Sequence, residues 1–112
     1  MSTIRLKLVY SLLNVSPGDL SVTQIELARW GSEVRLDCVY RYPPEERPFR
    51  LVFKGCRGIE WNIIKGDIGE GEVAQVLTHD LGEPHHQRPA RFATVLAEVI
   101  IIYDTLLVEK DW

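Results

Sequence analysis

The chain has 112 residues, 46% of them hydrophobic, and a formal net charge of −3. These values are typical of one globular domain with its own core and exclude a disordered chain. No apolar stretch approaches the roughly 20 residues of a membrane-spanning helix, and residues 4–9 are too short and too charged for a secretory signal. We therefore predict a single β-rich domain over residues 1–112, cytoplasmic and without a membrane partner.

The charge is unevenly distributed along the chain. Residues 1–56 carry eight Lys/Arg and six Asp/Glu, whereas residues 57–112 carry five and ten. Six acids lie between Glu60 and Glu83, where Lys65 is the only basic residue. Nucleic-acid binding needs clustered cations, so this distribution argues against a nucleic-acid partner and favours a basic protein partner.

The first predicted element lies near the N-terminus. Apolar residues from Ile4 to Tyr10 alternate with Arg5 and Lys7, which favours a strand. A short helix to Leu13 remains the alternative, because Leu6, Val9 and Leu13 would share one helical face. Pro17 and Gly18 then predict a turn.

Residues 22–30 and 33–42 predict a β-hairpin, because apolar and polar residues alternate along both. Gly31 would stand first in a two-residue type II′ loop, where glycine takes a positive φ at little cost. That loop places Leu27 opposite Leu36, so that apolar side chains meet on one face.

A second hairpin is predicted after the proline-rich residues 43–48, which we interpret as an exposed connection because proline lacks the N–H that a central strand needs. Residues 49–53 and 59–63 alternate in phase. Matching their apolar faces sets Leu51 opposite Trp61, with residues 54–58 as the loop. Trp61 is accordingly expected in the core.

The C-terminal half predicts one helix and a group of strands. Residues 72–81 are assigned to a short helix because Val73, Val76 and Leu77 would share a face. Two or three strands follow, over residues 92–97, 99–103 and 106–110. Residues 99–102 are apolar on both faces, which predicts a central or doubly covered strand. The fold class is thus α+β, mainly β, with antiparallel hairpins forming a sandwich or a partly open barrel and one short helix.

Three histidines and two acids form the most polar cluster in the sequence. Imidazole and carboxylate groups can bind zinc or another transition metal, but the spacing matches no compact site and the neighbouring His85 and His86 would point apart. We interpret the segment as a solvated loop, with metal binding and recognition or pH sensing as alternatives. No metal or cofactor is assigned. The cluster consists of His79, Asp80, Glu83, His85 and His86.

Two further positions draw attention. Trp30 lies at a hairpin end, where an exposed tryptophan would suit a binding contact. Arg57, within Gly55–Gly58, resembles part of an anion-holding turn, although a tight hairpin loop explains both glycines. Cys38 falls in an apolar strand register and is expected to be a buried, inert thiol. No catalytic residue is assigned.

The run from Phe49 to Trp61, FRLVFKGCRGIEW, resembles a pattern of small bacterial β-rich domains of unknown function. Some of those domains are similar to immunity proteins that neutralise polymorphic toxins. The resemblance covers about a third of the chain and implies a structural motif and an acidic inhibitory surface. It implies no catalytic residue.

These observations lead to the hypothesis of a non-enzymatic interaction or immunity-like binding domain that presents an acidic face to a basic partner. A small-ligand-binding β domain, with a pocket between sheets or at a barrel mouth, is the alternative; a metal-dependent hydrolase using the His/Asp loop is the third. A homodimer through an uncovered strand edge is compatible with all three. The candidate surface comprises Trp30, Arg57, Asp67, Glu70, Glu72, His79, Asp80, Glu83, His85 and His86.

Overall fold

A computed structural model describes residues 7–112. Within that range one five-residue α-helix precedes eight β-strands. The elements are α1 (Val9–Leu13), β1 (Asp19–Ala28), β2 (Glu33–Tyr42), β3 (Glu45–Lys54), β4 (Gly58–Ile63), β5 (Ala74–Asp80), β6 (Ala90–Thr94), β7 (Ala97–Ile102) and β8 (Thr105–Glu109).

All eight strands belong to one antiparallel sheet in the order β4-β7-β6-β5-β1-β2-β3-β8. The sheet is not closed, since β4 and β8 form its two edges. Its halves fold face to face: the ring of Phe53 on β3 lies 6.3 Å from that of Phe92 on β6 and 5.0 Å from that of Tyr103. The α+β, mainly β fold class is therefore confirmed.

The first hairpin exists, but its loop and register differ from the prediction. Residues 29–32 form the connection, and Leu27 lies opposite Val34 rather than Leu36. The two-residue loop was wrong because Arg29 and Trp30 join Gly31 in adopting positive φ. From Gln24 onward the shift is two residues, which keeps the side chains on their predicted faces, so the apolar match survives there.

A β-bulge divides β1 at Thr23, which has no partner between the pairs Val22–Cys38 and Gln24–Asp37. A bulge adds one residue to one strand and thereby reverses the alternation of its side chains. Val22 and Ile25, three residues apart, consequently face the same side of the sheet.

The helix predicted over residues 72–81 is wrong, because residues 74–80 form β5. A second bulge at Leu77 separates the pairs Val76–Thr94 and Thr78–Ala93. Val76 and His79 therefore share a face at a spacing of three, which imitates the helical period in the sequence. Leu77 itself is exposed.

The predicted second hairpin is also wrong. β3 pairs with β2 and β8, and β4 pairs with β7, which places Trp61 opposite Val99. β7 is central, as its two apolar faces predict. Trp61 does face the interior side of the sheet, but β4 is an edge strand, and the side chain remains 44% exposed rather than joining the core.

The proline segment is shorter than expected. Pro43 and Pro44 alone make the turn, through a cis peptide bond, and β3 starts at Glu45. Pro48 lies within β3, opposite Val39. It is tolerated there because β8 pairs with β3 only from Arg50 onward, which leaves Pro48 at a free edge.

At the N-terminus, the strand interpretation is wrong for the described part, since Val9 begins α1 and Asn14 ends it in a left-handed conformation. Residues 4–6, which that prediction included, lie outside the described range.

The three C-terminal strands are confirmed as β6, β7 and β8. Among residues 7–112, no helix has the length and apolar character needed to cross a bilayer.

Candidate functional site

An apolar cleft of about 350 Å³ lies between the β4-β7-β6-β5 half of the sheet and strands β1 and β2. Its lining is almost entirely hydrocarbon and aromatic, as in most small-molecule sites. The lining comprises Val22, Thr23, Gln24, Ile25, Leu36, Trp61, Ile63, Ile68, Glu72, Ala74, Phe92, Thr94, Leu96, Ala97 and Val99.

The cleft exists because the sheet does not close beyond β4. Trp61 and Ile63 project from this edge strand toward the interior, yet none of the eight described strands covers them, and they remain 44% and 63% exposed. The bulge at Thr23 turns Ile25 toward the same space. These residues were not among the predicted site residues. The large apolar residues of β1 fall at even positions up to Val22 and at odd positions from Ile25, and this change is the sequence signal that could have revealed the bulge.

Few polar groups reach the cleft, and most of them are already satisfied. The Glu72 carboxylate pairs with Lys65 and accepts a hydrogen bond from the Gly69 backbone N–H at 2.7 Å. The hydrogen bond from Lys65, supported by that from Gly69, lowers the pKa of Glu72. Thr94 donates its hydroxyl to the Ala97 carbonyl at 2.7 Å. Among the described residues, the cleft lining therefore carries no uncompensated charge.

The mouth is bordered by residues 64–73, an exposed segment between β4 and β5. Ile68 from this segment lines the cleft, while Ile64 and Val73 are large apolar side chains in contact with water. A Cβ atom added at Gly66, Gly69 or Gly71 would meet nothing within 4 Å. This border is thus loosely packed around its glycines.

The predicted acidic face is largely neutralised by cations of the same chain. Lys7 Nζ lies 2.7 Å from the Glu83 carboxylate, and this hydrogen bond lowers the pKa of Glu83. Asp80 pairs with Arg88 and accepts the Lys7 backbone N–H at 2.9 Å. Glu72 pairs with Lys65, as described above. Of the five acids in the face, Asp67 and Glu70 are exposed without an ion pair in the described residues.

The three histidines do not converge. His79 is buried, and desolvation lowers its pKa. His85 Nδ1 lies 2.8 Å from Asp104 Oδ1, whereas His86 Nε2 lies 3.0 Å from the Gly55 carbonyl oxygen. Within residues 7–112, no three His, Cys, Asp or Glu side chains are arranged to hold a metal ion.

Trp30 is fully exposed, as the hairpin position predicts. Arg29 and Trp30 have φ angles of 53° and 63°, a left-handed conformation that costs a side-chain-bearing residue on the order of 1 kcal/mol. The turn therefore holds Arg29 and Trp30 in a backbone conformation that residues with a side chain disfavour.

Arg57 is exposed, but its turn does not form an anion-holding nest. The backbone N–H of Cys56 donates to the Ser32 carbonyl and that of Arg57 donates to the Ile102 carbonyl, each at 2.9 Å. These two donors are consequently occupied and do not bind an anion.

Cys38 is a buried free thiol, and desolvation raises its pKa to about 12. This agrees with the inert thiol that the sequence predicts.

No protein-family model matches this chain, and a search of curated proteins finds no significant match.

Proposed function

We propose that this protein is a binding domain for a small, neutral and mainly apolar ligand held in the cleft beside Trp61. The observation that supports this proposal best is the cleft of about 350 Å³, whose lining is mainly apolar and in which Trp61 and Ile63 are partly exposed. Apolar side chains in contact with water gain free energy when a ligand replaces that water, at roughly 25 cal/mol per Å² buried.

The polar groups at the rim support a neutral ligand rather than an anion or a cation. Glu72 has its charge balanced by Lys65, and Gln24 contributes an uncharged amide. A fatty-acid carboxylate would meet Glu72 without a free cation in the lining. One hydroxyl or carbonyl group on the ligand would be matched by Gln24.

The experiment is a titration with Nile red, a neutral apolar dye, followed by its emission. Binding at the cleft should raise and blue-shift the emission and perturb the Trp61 indole N–H resonance. Ala74→Phe fills the cleft from β5 and should abolish both effects. Leu77→Phe, which adds an aromatic ring at the exposed bulge of the same strand, should leave them unchanged. Equal responses from the two variants would refute the assignment.

A second candidate is the interaction domain that binds a basic partner, which one observation favours. Asp67 and Glu70 are exposed acids without intrachain ion pairs in the described residues. Such a contact would weaken as salt rises. Titration with a lysine-rich peptide should show this dependence and lose it in Asp67→Asn/Glu70→Gln. Salt-independent binding would contradict it, and a toxin-neutralising role like that of the immunity proteins would fall with it.

A further inference from the structure

A second cleft, polar and about 340 Å³ in volume, lies on the outer face of strands β2, β3 and β8. Its floor is Val52, which is buried although it projects from the outer side of the sheet, and Leu107 forms one wall. Four cations and two carboxylates complete the lining: Arg29, Arg35, Arg50, Lys54, Glu33 and Glu109.

The carboxylates around this cleft are bound by two of its four cations. Arg35 Nε donates to Glu33 Oε2 at 2.8 Å, and Arg50 Nε donates to Asp37 Oδ1 at 2.6 Å. Each guanidinium has a second carboxylate within 4 Å, which is Glu26 for Arg35 and Glu109 for Arg50. This cross-strand network of two guanidinium groups and four carboxylates occupies the centre of the face.

Arg29 and Lys54 are left at one end of the cleft. Neither forms an ion pair with any residue in the range 7–112. They flank Glu33. Lys54 is the residue of β3 that pairs with Glu33, and Arg29 directly follows Ala28, the residue of β1 that pairs with Glu33. The hydrogen bond from Arg35 lowers the pKa of Glu33, and Coulomb attraction to Lys54 and Arg29 adds to this effect. Because neither Lys54 nor Arg29 is hydrogen-bonded to that carboxylate, both keep N–H donors that an anion could use.

Trp30 is the next residue after Arg29 in the same turn, and its indole ring is exposed on both faces. No aromatic or cation-π contact involves this ring in the described part of the chain. An uncovered indole offers a stacking surface for a planar ring. Both side chains are presented by the left-handed turn described above.

We propose that this end of the outer cleft binds a small anion attached to a planar ring, with the anionic group between Arg29 and Lys54 and the ring stacked on Trp30. Aromatic carboxylates and nucleoside monophosphates share this chemistry. Two cations whose N–H donors bind no carboxylate suit one phosphate or carboxylate. A polynucleotide would need a longer cationic track, so the ligand is a single small molecule.

The test is an NMR titration of the ¹⁵N-labelled protein, since its three tryptophans give separate indole N–H signals. The probes are adenosine 5′-monophosphate, adenosine, benzoate and inorganic phosphate. We expect a probe carrying both a ring and an anion to shift the Trp30 indole and the backbone signals of Arg29 and Lys54. Adenosine should bind at least tenfold more weakly than its monophosphate. The stronger of adenosine monophosphate and benzoate identifies the anionic group.

Substitutions distinguish a defined site from general charge attraction. Arg29→Gln and Lys54→Gln should each weaken binding of the preferred probe about tenfold. Trp30→Ala should weaken the ring-bearing probes while leaving the response to inorganic phosphate unchanged. Arg91→Gln is the matched control, because Arg91 is an exposed cation on β6. Absence of binding by both ring-bearing anions, or equal weakening by Arg91→Gln, would overturn the proposal.

Discussion

His79 Nε2 accepts a hydrogen bond from the backbone N–H of Val9, with 2.9 Å between the two nitrogens. The same ring stacks on Phe92 with 5.9 Å between centroids and meets the edge of Tyr10. The bond joins the first turn of α1 to β5, and it requires an unprotonated Nε2. His79 is thus a structural histidine whose neutral form attaches the N-terminal helix to the sheet.

Stability should therefore depend on pH through His79. Burial lowers the pKa of His79 below its ordinary value of 6.5. The unfolded chain then binds a proton that the folded chain excludes, and the free energy of unfolding falls as pH drops below about 6.5. Denaturant unfolding between pH 7.0 and 5.5 should show this loss. In His79→Gln, which cannot titrate but keeps an acceptor, the loss over that interval should be smaller. An identical pH dependence in both proteins would contradict the assignment.

Gly82 should not tolerate a side chain. Its φ is +71°, and an added Cβ would lie 2.5 Å from the carbonyl oxygens of Arg88 and Pro89. We expect Gly82→Ala to lower the free energy of unfolding by about 2 kcal/mol or more, because backbone strain and a steric clash combine. Gly66→Ala is the control, since nothing lies within 4 Å of its added Cβ and its φ is not positive. A small, equal effect from both variants, measured by urea unfolding, would argue against this packing.

The core and the cleft should differ sharply in their response to truncation. Phe53 is fully buried between Phe92 and Tyr103, so Phe53→Ala should cost about 3–5 kcal/mol. Ile63→Ala should cost less than about 1 kcal/mol, because that side chain is mostly exposed. The comparison uses thermal and urea unfolding of both variants. A large cost at Ile63 would mean that β4 is covered and the cleft closed.

The two thiols should react at different rates. Burial holds the pKa of Cys38 near 12, whereas Cys56 is only partly buried and its pKa is raised less far. Because the thiolate is the reactive form, a thiol reagent added to the native protein should label Cys56 before Cys38. Cys56→Ser should therefore remove the faster phase and leave labelling that requires unfolding. Faster loss of Cys38 would contradict its placement in the core.

The strand alternation predicted the faces of the sheet well but not all of its pairings. Val34, Leu36, Leu51 and Phe53 are buried as their parity indicates. The alternation of apolar and polar residues shows which face of a strand is apolar, but it does not show which other strand pairs with it. The pairing of β4 with β7 joins residues about 40 positions apart, and no turn in the sequence encodes such a long-range contact.

The candidate cleft was harder to predict than the core for a related reason. Trp61 has the same alternation as a core residue, and only the position of β4 at the sheet edge leaves it uncovered. The ion pairs within the predicted acidic face were hard to foresee as well, since Lys7 reaches Glu83 across 76 positions. Trp30 was predicted correctly because exposure at a hairpin end is a local property.

Thr23 and Leu77 are each the extra residue of a β-bulge. Apolar side chains before and after the bulge therefore lie on one face of the sheet, although their alternation in the sequence is out of phase. Deleting the codon for Thr23 would make the pairs Val22–Cys38 and Gln24–Asp37 consecutive, so that Ile25 and Leu27 would stay on their present face. Such a shortened gene should therefore still encode a protein that folds, with a straighter first strand.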